Sequence, residues 1–515
     1  MGEDDFQVLI VGAGPVGLAT AIELGLRGIR CLVIDRRDGS ITVPKTSMVS
    51  TRNMEFCRRW SIAKDVRGAV WDEDRKLDFV YVESLLGQEI ARLPAPSYRE
   101  QRAGSQSPEV ATHCPQLYFD PILKARAGQE TSVVFRYLTS LIDFREDRNR
   151  VVATLAVENE TIDIRCDFLI GCDGATGFVR DSLGVKLEGR GDLAQSVNVF
   201  FEHPDLVGTH DKGWARIYRM VDKGGCWSEL IPIDGDRLWR LTVFDEPATI
   251  RAADEYLRRA FGANLTCKFL DLSTWKRRDY VAGSYGSSRV FLAGDCAHQC
   301  SPTSGLGMAT GLEDAMNLAW KVAAVLQGWG GPFLIQSYEH ERRPLAVRNV
   351  ALSTRAFEAI RAIPPQNNVA SQRIDWRNNL ASYSTPEFTK LHYAYEGSPI
   401  CQSDETIEAA LQAPLASPGS RAPHGWITSD YSILDTFGPH FTILRFDAQA
   451  GGADLLEALR ELGAPAWLQD VDSQEIQRVY GCALALVRPD GHVAWRGAQA
   501  RGEHARRIAR TVCGY

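Results

Sequence analysis

The sequence lacks the features that mark a membrane-embedded, secreted or nucleic-acid-binding protein. Its 515 residues contain 58 Lys and Arg against 65 Asp and Glu, so no basic excess favours a polyanionic partner. The first apolar stretch is interrupted by Gly12, Gly14, Gly17 and Glu23, which excludes a membrane span there. The acidic start, MGEDDF, lacks the positive charge of a signal peptide. These absences predict a cytoplasmic protein with neither a nucleic-acid nor a membrane partner.

Paired cysteine motifs are also missing. The chain has 12 cysteines but no CxxC, and a chain this long does not need a disulfide scaffold. The cluster CAHQC, Cys296–Cys300, holds thiol and imidazole groups that suit zinc, yet no nearby CxxC or HxxxH supplies a fourth ligand. We therefore predict buried thiols in a reducing compartment and no metal site.

What the chain does contain begins with a strand and a glycine-rich turn. QVLIV, Gln7–Val11, is an apolar run typical of a buried parallel strand. In the following turn, Gly12 permits a tight bend and Gly14 lets the backbone approach a phosphate. A helix then opens, and its N-terminus favours negative charge. Its first residues are Pro15, Val16 and Gly17.

An acidic residue completes this unit. RCLVID, Arg30–Asp35, reads as the second strand, and Arg36, which follows it, is a further candidate for cofactor binding. Asp35 lies about 20 residues beyond Gly14, where an acid in a dinucleotide-binding fold bonds a ribose hydroxyl. A lone glycine turn is often only structural, but strand, turn, helix and acid together predict a dinucleotide site. They do not distinguish FAD from NAD.

Two further motifs lie far along the chain. IDIRCDFLIGCDGA, residues 162–175, ends a strand in Asp-Gly. RVFLAGDCAHQCSPTSGLG, residues 289–307, precedes a long helix whose apolar residues keep a helical period. The glycines before that helix leave free backbone N–H groups at a terminus that favours negative charge.

Together and in this order, VGAGPVG, CDG and AGDCAH resemble the fingerprint of the class A flavoprotein aromatic hydroxylases, the single-component FAD monooxygenases. The segments EDAMNLAWK, residues 313–321, and YEHERRP, residues 338–344, continue the resemblance. It implies a Rossmann-like α/β domain that binds FAD and is interleaved with an antiparallel-sheet substrate domain. NADPH or NADH acts as a transient reductant, which agrees with the presence of a single nucleotide fingerprint.

The resemblance also implies roles for individual residues. Asp173 is placed near the FAD ribose, and Arg180 near the approach path of the nicotinamide. In the third motif the implied contacts to the ribityl chain and the reactive edge of the flavin fall on Asp295, Pro302, Gly305, Gly307, Met308 and Ala309. The chain departs from the family at Gly177, usually Ser, and at Ser301, Ser304 and Ala309, usually Pro, Gly and Asn. These departures leave FAD binding in place and affect the loop nearest the substrate.

Two other segments carry candidate cofactor contacts by the same resemblance. Gln116 opens an amphipathic helix where relatives have a glutamine that reaches the phosphate or ribityl region; otherwise it is an exposed amide. Arg52 and Lys45 lie where relatives place a basic residue near FAD, although Lys45 and Thr46 replace the usual Arg-Ala. Each cation is alternatively a solvated surface charge.

Between about residues 190 and 280 the pattern changes to alternating strands, which predicts one antiparallel sheet. Relatives use such a sheet as the floor of the substrate pocket. Its aromatic residues are candidates for the pocket lining or for plain core. They are Trp214, Tyr218, Trp227 and Trp239.

The C-terminal part resembles the thioredoxin-like domain of the longer members of the family. FTILRF, residues 441–446, and ALALVRPDGHVAWR, residues 483–496, match its strands, and Asp490-Gly491 is a hairpin turn. Without a CxxC, thiol–disulfide exchange is not expected. We predict an FAD-binding domain over 1–190 and 281–361, a substrate domain over 191–280, a connector over 362–424 and a thioredoxin-like domain over 425–515.

The predicted function is an NAD(P)H-dependent FAD monooxygenase that hydroxylates a small phenolic or related aromatic compound. The resemblance implies that O2 adds to the reduced flavin as a C4a-hydroperoxide, which transfers one oxygen. A homodimer is compatible with this prediction. Neither a catalytic base nor the substrate is identified by the sequence. The alternatives are a Baeyer–Villiger monooxygenase, an FAD-dependent oxidase or dehydrogenase, and an inactive flavin-binding scaffold.

Overall fold

The computed structural model describes residues 5–43, 47–102, 106–264, 266–362, 391–402 and 416–515. Its strands, in chain order, are β1 (Asp5–Val11), β2 (Cys31–Ile34), β3 (Met48–Val49), β4 (Phe79–Val82), β5 (Glu89–Leu93), β6 (Thr112–His113), β7 (Val133–Arg136), β8 (Thr139–Glu146), β9 (Val151–Val157), β10 (Glu160–Gly171), β11 (Leu187–Glu202), β12 (Ile217–Asp222), β13 (Gly225–Pro232), β14 (Leu238–Phe244), β15 (Lys268–Ala282), β16 (Val290–Leu292), β17 (His298–Gln299), β18 (Phe441–Arg445), β19 (Ala466–Asp470), β20 (Leu484–Val487) and β21 (Val493–Gly497).

The helices surround three larger sheets formed by these strands. They are α1 (Pro15–Gly25), α2 (Thr51–Arg59), α3 (Ala63–Arg67), α4 (Tyr98–Arg102), α5 (Gln116–Ala127), α6 (Phe178–Ser182), α7 (Ile250–Phe261), α8 (Leu306–Leu326), α9 (Pro332–Arg361), α10 (Gly452–Glu461), α11 (Gln474–Tyr480) and α12 (Gly502–Val512). The predicted strand–turn–helix–strand unit at the N-terminus and the long helix after the third motif are both confirmed.

The first sheet has seven strands in the order β7–β2–β1–β10–β9–β8, with β16 also paired to β10. β1 runs parallel to β2 and β10, and β10 runs parallel to β16 but antiparallel to β9. β2 is apolar and buried throughout, and β1 is so over its last four residues, because both faces of the sheet are covered there. This sheet is the Rossmann-like layer that the sequence predicts.

The second sheet has eight strands in the order β17–β15–β11–β14–β13–β12–β4–β5. The four strands predicted between residues 196 and 244 are present, and all four lie in this sheet. One predicted boundary is corrected, because β4 pairs in parallel with β12 and carries residues 79–93 into this sheet. Those residues were assigned to the FAD-binding domain because a two-strand excursion inside a longer segment leaves no clear composition shift.

The C-terminal domain is a four-stranded sheet in the order β19–β18–β20–β21. β18 and β19 are parallel, and β20 and β21 form the predicted antiparallel hairpin. With α10 between the parallel strands, this is the predicted thioredoxin-like arrangement. Its core is continuous with that of the first domain, since Phe441 packs edge-on against Trp320 of α8 and Trp329.

Buried ion pairs join the C-terminal domain to the first domain. Arg488 donates to both oxygens of Glu341 on α9, at 2.6 and 2.9 Å, and also to Asp490. Glu341 additionally accepts from Lys321 at 2.6 Å and Asn317 at 2.7 Å. We call these residues the interdomain network. Every carboxylate in it has a cationic partner, which buried charge requires.

A second set of ion pairs anchors α2 to the same interface. Glu55 accepts from Arg52 at 2.7 Å and from Arg421, and Arg52 also donates to the Asp490 carbonyl at 2.8 Å. Although burial opposes ionisation, these two arginines bring the pKa of Glu55 down to about 2.

No helix among the residues that the structure describes combines the length and the apolar content needed to cross a bilayer.

Candidate active site

Strand register brings the three sequence motifs to one edge of the first sheet. Val11 of β1 pairs with Gly171 of β10, and Gly171 pairs with Leu292 of β16. Each motif continues directly from one of these residues. The carboxyl ends of parallel strands form the usual ligand-binding edge of an α/β sheet. Three motifs that are far apart in the sequence therefore lie side by side and form one site.

Three close approaches, each at a glycine, join the motifs in pairs. A Cβ on Gly12 would collide with a carbonyl oxygen, one on Gly177 would lie 2.8 Å from a sulfur, and one on Gly294 would lie 2.9 Å from a valine methyl. The paired residues are Gly12 with Cys172, Gly177 with Cys296, and Gly294 with Val16. The glycine at position 177, where the family usually has serine, therefore fits the side chain of Cys296, which leaves no room for a serine.

The N-terminus of α1 faces open space. Gly14 is the N-cap residue with extended backbone, and Pro15 is the first residue of the helix. A Cβ on Gly14 would meet no protein atom within 4 Å, whereas one on Gly17 would collide with the Gly12 carbonyl oxygen. The two glycines therefore differ in purpose. Gly17 closes the turn, and Gly14 leaves space at a helix end that attracts anions.

Asp35 lies at the end of β2, as predicted, and is buried. One carboxylate oxygen accepts the Ala13 N–H at 3.0 Å, and the other accepts from the Arg37 backbone at 2.9 Å and side chain at 3.2 Å. Burial opposes ionisation, but these bonds lower the pKa of Asp35 below its ordinary value. The partner is Arg37; the predicted candidate Arg36 is exposed. A carboxylate retains lone pairs for a further hydroxyl donor.

In the second motif, Asp173 supports the turn and keeps one oxygen unpaired. Its Oδ2 accepts the Val179 N–H at 3.0 Å, while Oδ1 is enclosed without a hydrogen-bond partner in the described part of the chain. Arg180 is buried and donates to the Ala175 carbonyl at 3.1 Å and the Cys296 carbonyl at 3.4 Å. Its contacts therefore hold the second motif against the third, and the role beside the path of the nicotinamide that the resemblance implies stays a prediction.

Asp314 on α8 organises the third motif, a role that the sequence did not identify. Its carboxylate accepts the Gly294 N–H at 3.1 Å, the His298 Nε2 at 2.7 Å and the Arg342 Nε at 2.8 Å. This arrangement fixes the turn Gly294–Cys296 and leaves the side chain of Asp295 exposed at its surface. The fact that Asp314 lies within the segment resembling the family was its only sequence signal.

The loop that leads into α8 ends on a residue with left-handed backbone. Pro302–Ser304 forms one turn, and Gly305, at φ 66°, caps α8. A Cβ on Gly307 would meet only the Cys300 Cβ, at 3.9 Å, so space remains in front of the first turn of the helix. Met308 is half-buried and Ala309 is buried. The first N–H groups of α8 are directed toward this space.

Ser301, one of the departures from the family, is completely buried and has a specific partner. Its Oγ accepts from Arg277 Nη1 at 3.3 Å and is 2.9 Å from the Thr303 Oγ1, which accepts from the same nitrogen at 3.1 Å. A proline at 301 would remove one of these acceptors. The loop is thereby tied to β15 of the second sheet by hydroxyl groups that flank Pro302.

Two residues predicted to contact FAD have protein partners in the structure. Arg52 donates to Glu55 and to the Asp490 carbonyl of the C-terminal domain, and its contact with FAD stays a prediction. The presence of a basic residue in a segment that resembles the family does not predict the direction of its side chain. Gln116 opens α5 as predicted, is half-buried and donates to Asp120 at 3.4 Å. Lys45 lies outside the described residues.

Of the two roles that the sequence leaves open for the aromatic residues of this sheet, pocket lining or core, three residues have the packing of a core. Tyr218, Trp227 and Trp239 pack with Leu257 and other residues of α7 in one apolar core. Trp214 precedes β12 and packs edge-on against Trp71. Strand residues alternate between faces, and these rings lie on the α7 side. The sequence pattern identified the sheet correctly but not which of its faces is turned to the first domain.

The opposite face, which we call the inner face, is polar and charged. Register places Ser196 of β11 beside Trp275 of β15, and the next pairs along carry the same face through β14 and β13. The C-terminal half of α9 lies against it, where Phe357 packs edge-on on Phe244. Its polar residues are Ser196, Asn198, Arg219, Glu229, Arg240, Thr242 and Arg277.

The cysteines show the burial expected of unreactive thiols. Burial, reinforced by the neighbouring Asp173 carboxylate, raises the pKa of Cys296 well above its usual range, and burial likewise raises that of Cys300. In the part of the chain that the structure describes, no group of three or more His, Cys, Asp or Glu side chains is placed to hold a metal ion.

These features fit FAD. The space before Gly14 suits a pyrophosphate, and the lone pairs of Asp35 suit a ribose hydroxyl. The Oδ1 of Asp173, which has no hydrogen-bond partner among the described residues, suits a second hydroxyl. The open first turn of α8 suits the pyrimidine edge of a flavin, which is anionic when reduced.

Comparison with known proteins agrees with this geometry. A family model described as FAD binding domain matches residues 5–353, and a model described as aromatic-ring hydroxylase, C-terminal, matches residues 416–515. The aklavinone 12-hydroxylase RdmE of Streptomyces purpurascens is 32% identical over 99% of this chain and 98% of its own. The rebeccamycin biosynthetic enzyme RebC with reduced flavin superposes with a TM-score of 0.91 at 32% identity, covering 99% of both chains. An aklavinone-11 hydroxylase with FAD and aklavinone superposes with a TM-score of 0.86 at 28% identity over 100% of both.

Proposed function

The chain belongs to the FAD-dependent aromatic-ring hydroxylases, the class A flavoprotein monooxygenases, and on this basis we propose that it hydroxylates a phenolic compound held against the inner face of its second sheet. When bound, FAD would supply the redox chemistry: electrons taken from NAD(P)H and the transfer of one atom of O2 to the aromatic ring. The observation that carries the proposal is the direct contact between this face and the loop before α8, made by Arg277, Ser301 and Thr303.

The protein's own residues supply binding and orientation. The N-terminus of α1 at Gly14 holds the pyrophosphate, and Asp35 accepts a ribose hydroxyl. Asp173 and Asp295 hold the remaining ribose and ribityl hydroxyls. The backbone N–H groups of Gly307, Met308 and Ala309, preceded by Pro302 and Gly305, bind the flavin edge. Gln116 stays a candidate contact at the start of α5.

The arrangement also restricts access of water to the substrate. Trp275, Phe244 and Phe357 form an aromatic wall where the inner face meets α9. A dry site strengthens the interaction between charged groups and prevents the oxidising equivalent from being lost to peroxide. Two of the relatives are named for the hydroxylation of aklavinone, and RebC has been solved with bound 7-carboxy-K252c. We propose that the substrate of this chain is likewise an aromatic compound, with a free hydroxyl.

A screen of phenols, from single-ring to polycyclic, tests the proposal. We expect one or more of them to stimulate NAD(P)H oxidation and to gain a single oxygen atom, which mass spectrometry with isotopically labelled O2 traces to the gas. Stoichiometric peroxide without oxygenated product, for every compound that stimulates oxidation, would identify an oxidase instead. A ketone converted to an ester would identify a Baeyer–Villiger enzyme, and protein that cannot be reconstituted with FAD would identify an inactive scaffold.

A further inference from the structure

A cavity lies at the end of the second sheet where β11 finishes and β4 and β12 begin. Its volume is about 790 Å³, and its wall comes from residues 75–78, residues 204–214, the turn 235–237 and Arg92 of β5. None of these residues belongs to the three sequence motifs or to the polar set of the inner face. Cavities of a few hundred to about 1,000 Å³ hold small molecules and cofactors, so this one is large enough for a nucleotide.

The lining of the cavity is rich in cations. Five basic side chains stand beside three acidic ones, Asp78, Asp205 and Asp236. Backbone donors already occupy two of the acids, since Asp78 Oδ1 accepts the Ala95 N–H at 3.1 Å and Asp205 Oδ1 accepts the Gly208 N–H at 2.9 Å. The wall therefore carries a net positive charge, which favours an anionic ligand. The basic side chains are Arg75, Lys76, Arg92, Lys212 and Arg237.

The lysines of the wall pair with carboxylates that are exposed and lie outside it. Lys76 pairs with Glu100, whose side chain is 49% exposed. Lys212 is buried in the wall and pairs with Asp211, whose side chain is 84% exposed. Exposed ion pairs contribute little to stability, whereas a phosphate forms strong charge-assisted hydrogen bonds. A phosphate that enters the cavity can therefore replace these carboxylates.

A planar ring stands among the cations. Trp214 lines the cavity, and its indole N–H donates to the Lys76 carbonyl at 3.0 Å, which fixes the orientation of the ring. The Arg75 guanidinium lies over it with Cζ 4.6 Å from the ring centroid, and donates to the Gly235 carbonyl at 2.7 Å. A guanidinium stacked on an indole gives a flat surface on which an aromatic base can pack. Cations and a flat surface together suit a nucleotide.

The proposed function requires a second dinucleotide, although the sequence has a single dinucleotide fingerprint and FAD uses it. Taking that function as its basis, we propose that this cavity binds the adenosine phosphate half of NADPH. Lys212 and Arg237 bind its phosphates, and the stacked pair Arg75–Trp214 packs on its adenine. The 2′-phosphate, which NADH lacks, carries about two negative charges near pH 7. The cation excess of the wall therefore selects NADPH over NADH.

Side-chain contacts connect the cavity to the loop before α8. Trp214 packs edge-on against Trp71 with 5.2 Å between ring centroids, and Trp71 stacks on His113 at 3.6 Å. His113 of β6 pairs with Met48 of β3. A Cβ on Gly305 would lie 3.8 Å from the Met48 Cβ. The contacts thus continue from the cavity wall to the loop at the flavin edge, which the nicotinamide end has to reach.

Equilibrium binding of adenosine 2′,5′-bisphosphate to the oxidised holoenzyme tests the inference without turnover. Adenosine 5′-monophosphate is the matched probe that lacks the 2′-phosphate. Isothermal titration calorimetry should show that the bisphosphate binds about tenfold more tightly, and R75Q/R237Q should weaken its binding by about tenfold or more. The same variant should raise KM for NADPH and leave kcat unchanged, the result expected when binding is lost without an effect on chemistry.

Another arginine stacked on a tryptophan of the same domain provides a matched control. Arg259 lies with Cζ 3.8 Å from the ring centroid of Trp227 and pairs with Asp222, and neither Arg259 nor Trp227 lines the cavity. R259Q should therefore bind the bisphosphate as the wild type does. FAD content and the unfolding temperature establish that each variant is folded. R237Q alone, at a side chain that is 63% exposed, keeps the test informative if the double variant does not fold.

Three results would overturn the inference: no binding of the bisphosphate to the wild-type protein, equal affinities for the two nucleotides, or unchanged affinity in the arginine variants. Its failure is separable from that of the proposed function. An enzyme that inserts labelled oxygen but does not bind the bisphosphate through Arg75 and Arg237 loses only the inference. A protein that binds it in this way yet never oxygenates a phenol loses only the function.

Discussion

Gly177 and Cys296 lie so close that a Cβ on the glycine would be 2.8 Å from the cysteine sulfur. The same Cβ would be 2.6 Å from Oδ1 of Asp173. The second and third motifs thus pack together through a glycine and a thiol. A departure from the family pattern that looks isolated in the sequence is one half of a matched pair in the structure.

Replacing Gly177 by serine should therefore reduce the stability of the protein, and the size of the loss should depend on the side chain of Cys296. We expect G177S to destabilise the protein by about 1 to 3 kcal/mol through overpacking and to weaken FAD binding. Shortening the opposing side chain in G177S/C296A should recover part of the loss. Thermal unfolding of the two single variants and the double variant, with and without FAD, measures this coupling. Strictly additive effects would show that the two residues do not compete for space.

The two glycines of the first turn should give opposite results. G14A introduces a methyl group where no protein atom lies within 4 Å, so the apoprotein should unfold at the wild-type temperature while FAD affinity falls. G17A places its methyl group against the Gly12 carbonyl oxygen and should lower the unfolding temperature of the apoprotein itself. Apoprotein melting and flavin fluorescence titration separate these effects. Unchanged FAD affinity in G14A would show that the pyrophosphate binds elsewhere.

Ser301 should affect the coupling of NAD(P)H oxidation to substrate hydroxylation more than it affects FAD binding. S301A removes one of two hydroxyl acceptors of Arg277 Nη1, a loss of about 1 kcal/mol. We expect normal FAD content but a loop that is less well held, with a larger fraction of NAD(P)H oxidation yielding peroxide. S301T keeps the hydroxyl and serves as the matched variant. Equal peroxide yields in S301A and the wild type would contradict a role for this bond.

Glu55 should make the interface between the domains sensitive to acid. Its pKa of about 2 in the folded protein lies below the ordinary value near 4.5, so its ion pairs stabilise the fold fully above about pH 4.5. That stabilisation is lost as the pH falls from 4.5 toward 2. E55Q should therefore lower the unfolding temperature at pH 7, and the difference from wild type should shrink near pH 3.

The control for that measurement is a carboxylate on the surface of the C-terminal domain. The Glu503 side chain is 86% exposed and its nearest cation is 3.7 Å away, so E503Q should leave the unfolding temperature unchanged across the same pH range. A difference between E55Q and wild type that is constant from pH 7 to 3 would mean that the charge of Glu55 is not what stabilises the interface.

The helices and strands that frame the site were predicted well because local sequence patterns determine them. Apolar runs, a proline at the first helical position and glycines with a defined purpose determine β1, α1 and α8 with little help from distant residues. The strands of the second sheet were visible for the same reason. The side of the sheet that each residue faces was not visible, because period-two alternation leaves open which side meets α7. Whether Trp239 and Tyr218 line a pocket or belong to the core therefore stayed undecided.

Residues that act through long-range contacts could not be predicted. Asp314, Glu341 and Arg342 stand in segments that resemble the family, but nothing in the sequence shows that they bond to one another, to Gly294 or to the C-terminal domain. The contacts of Arg52 could not be predicted for the same reason, since its acceptor, the Asp490 carbonyl, is more than 400 residues away. Such pairings exist only once the chain has folded.

The interdomain network has a consequence for protein engineering. Because Arg488 supplies the cation for Glu341, and the Asp490 carbonyl accepts from Arg52, each domain carries half of a charge set that is balanced only in the assembled chain. Truncation before residue 416 would remove Arg488, leaving Glu341 with Lys321 as its cationic partner, and would expose the apolar surface around Trp320 and Trp329. A chimera that exchanges this domain with one from a relative must therefore transfer four segments together: α2, the C-terminal end of α8, the N-terminal part of α9 and the β20–β21 turn.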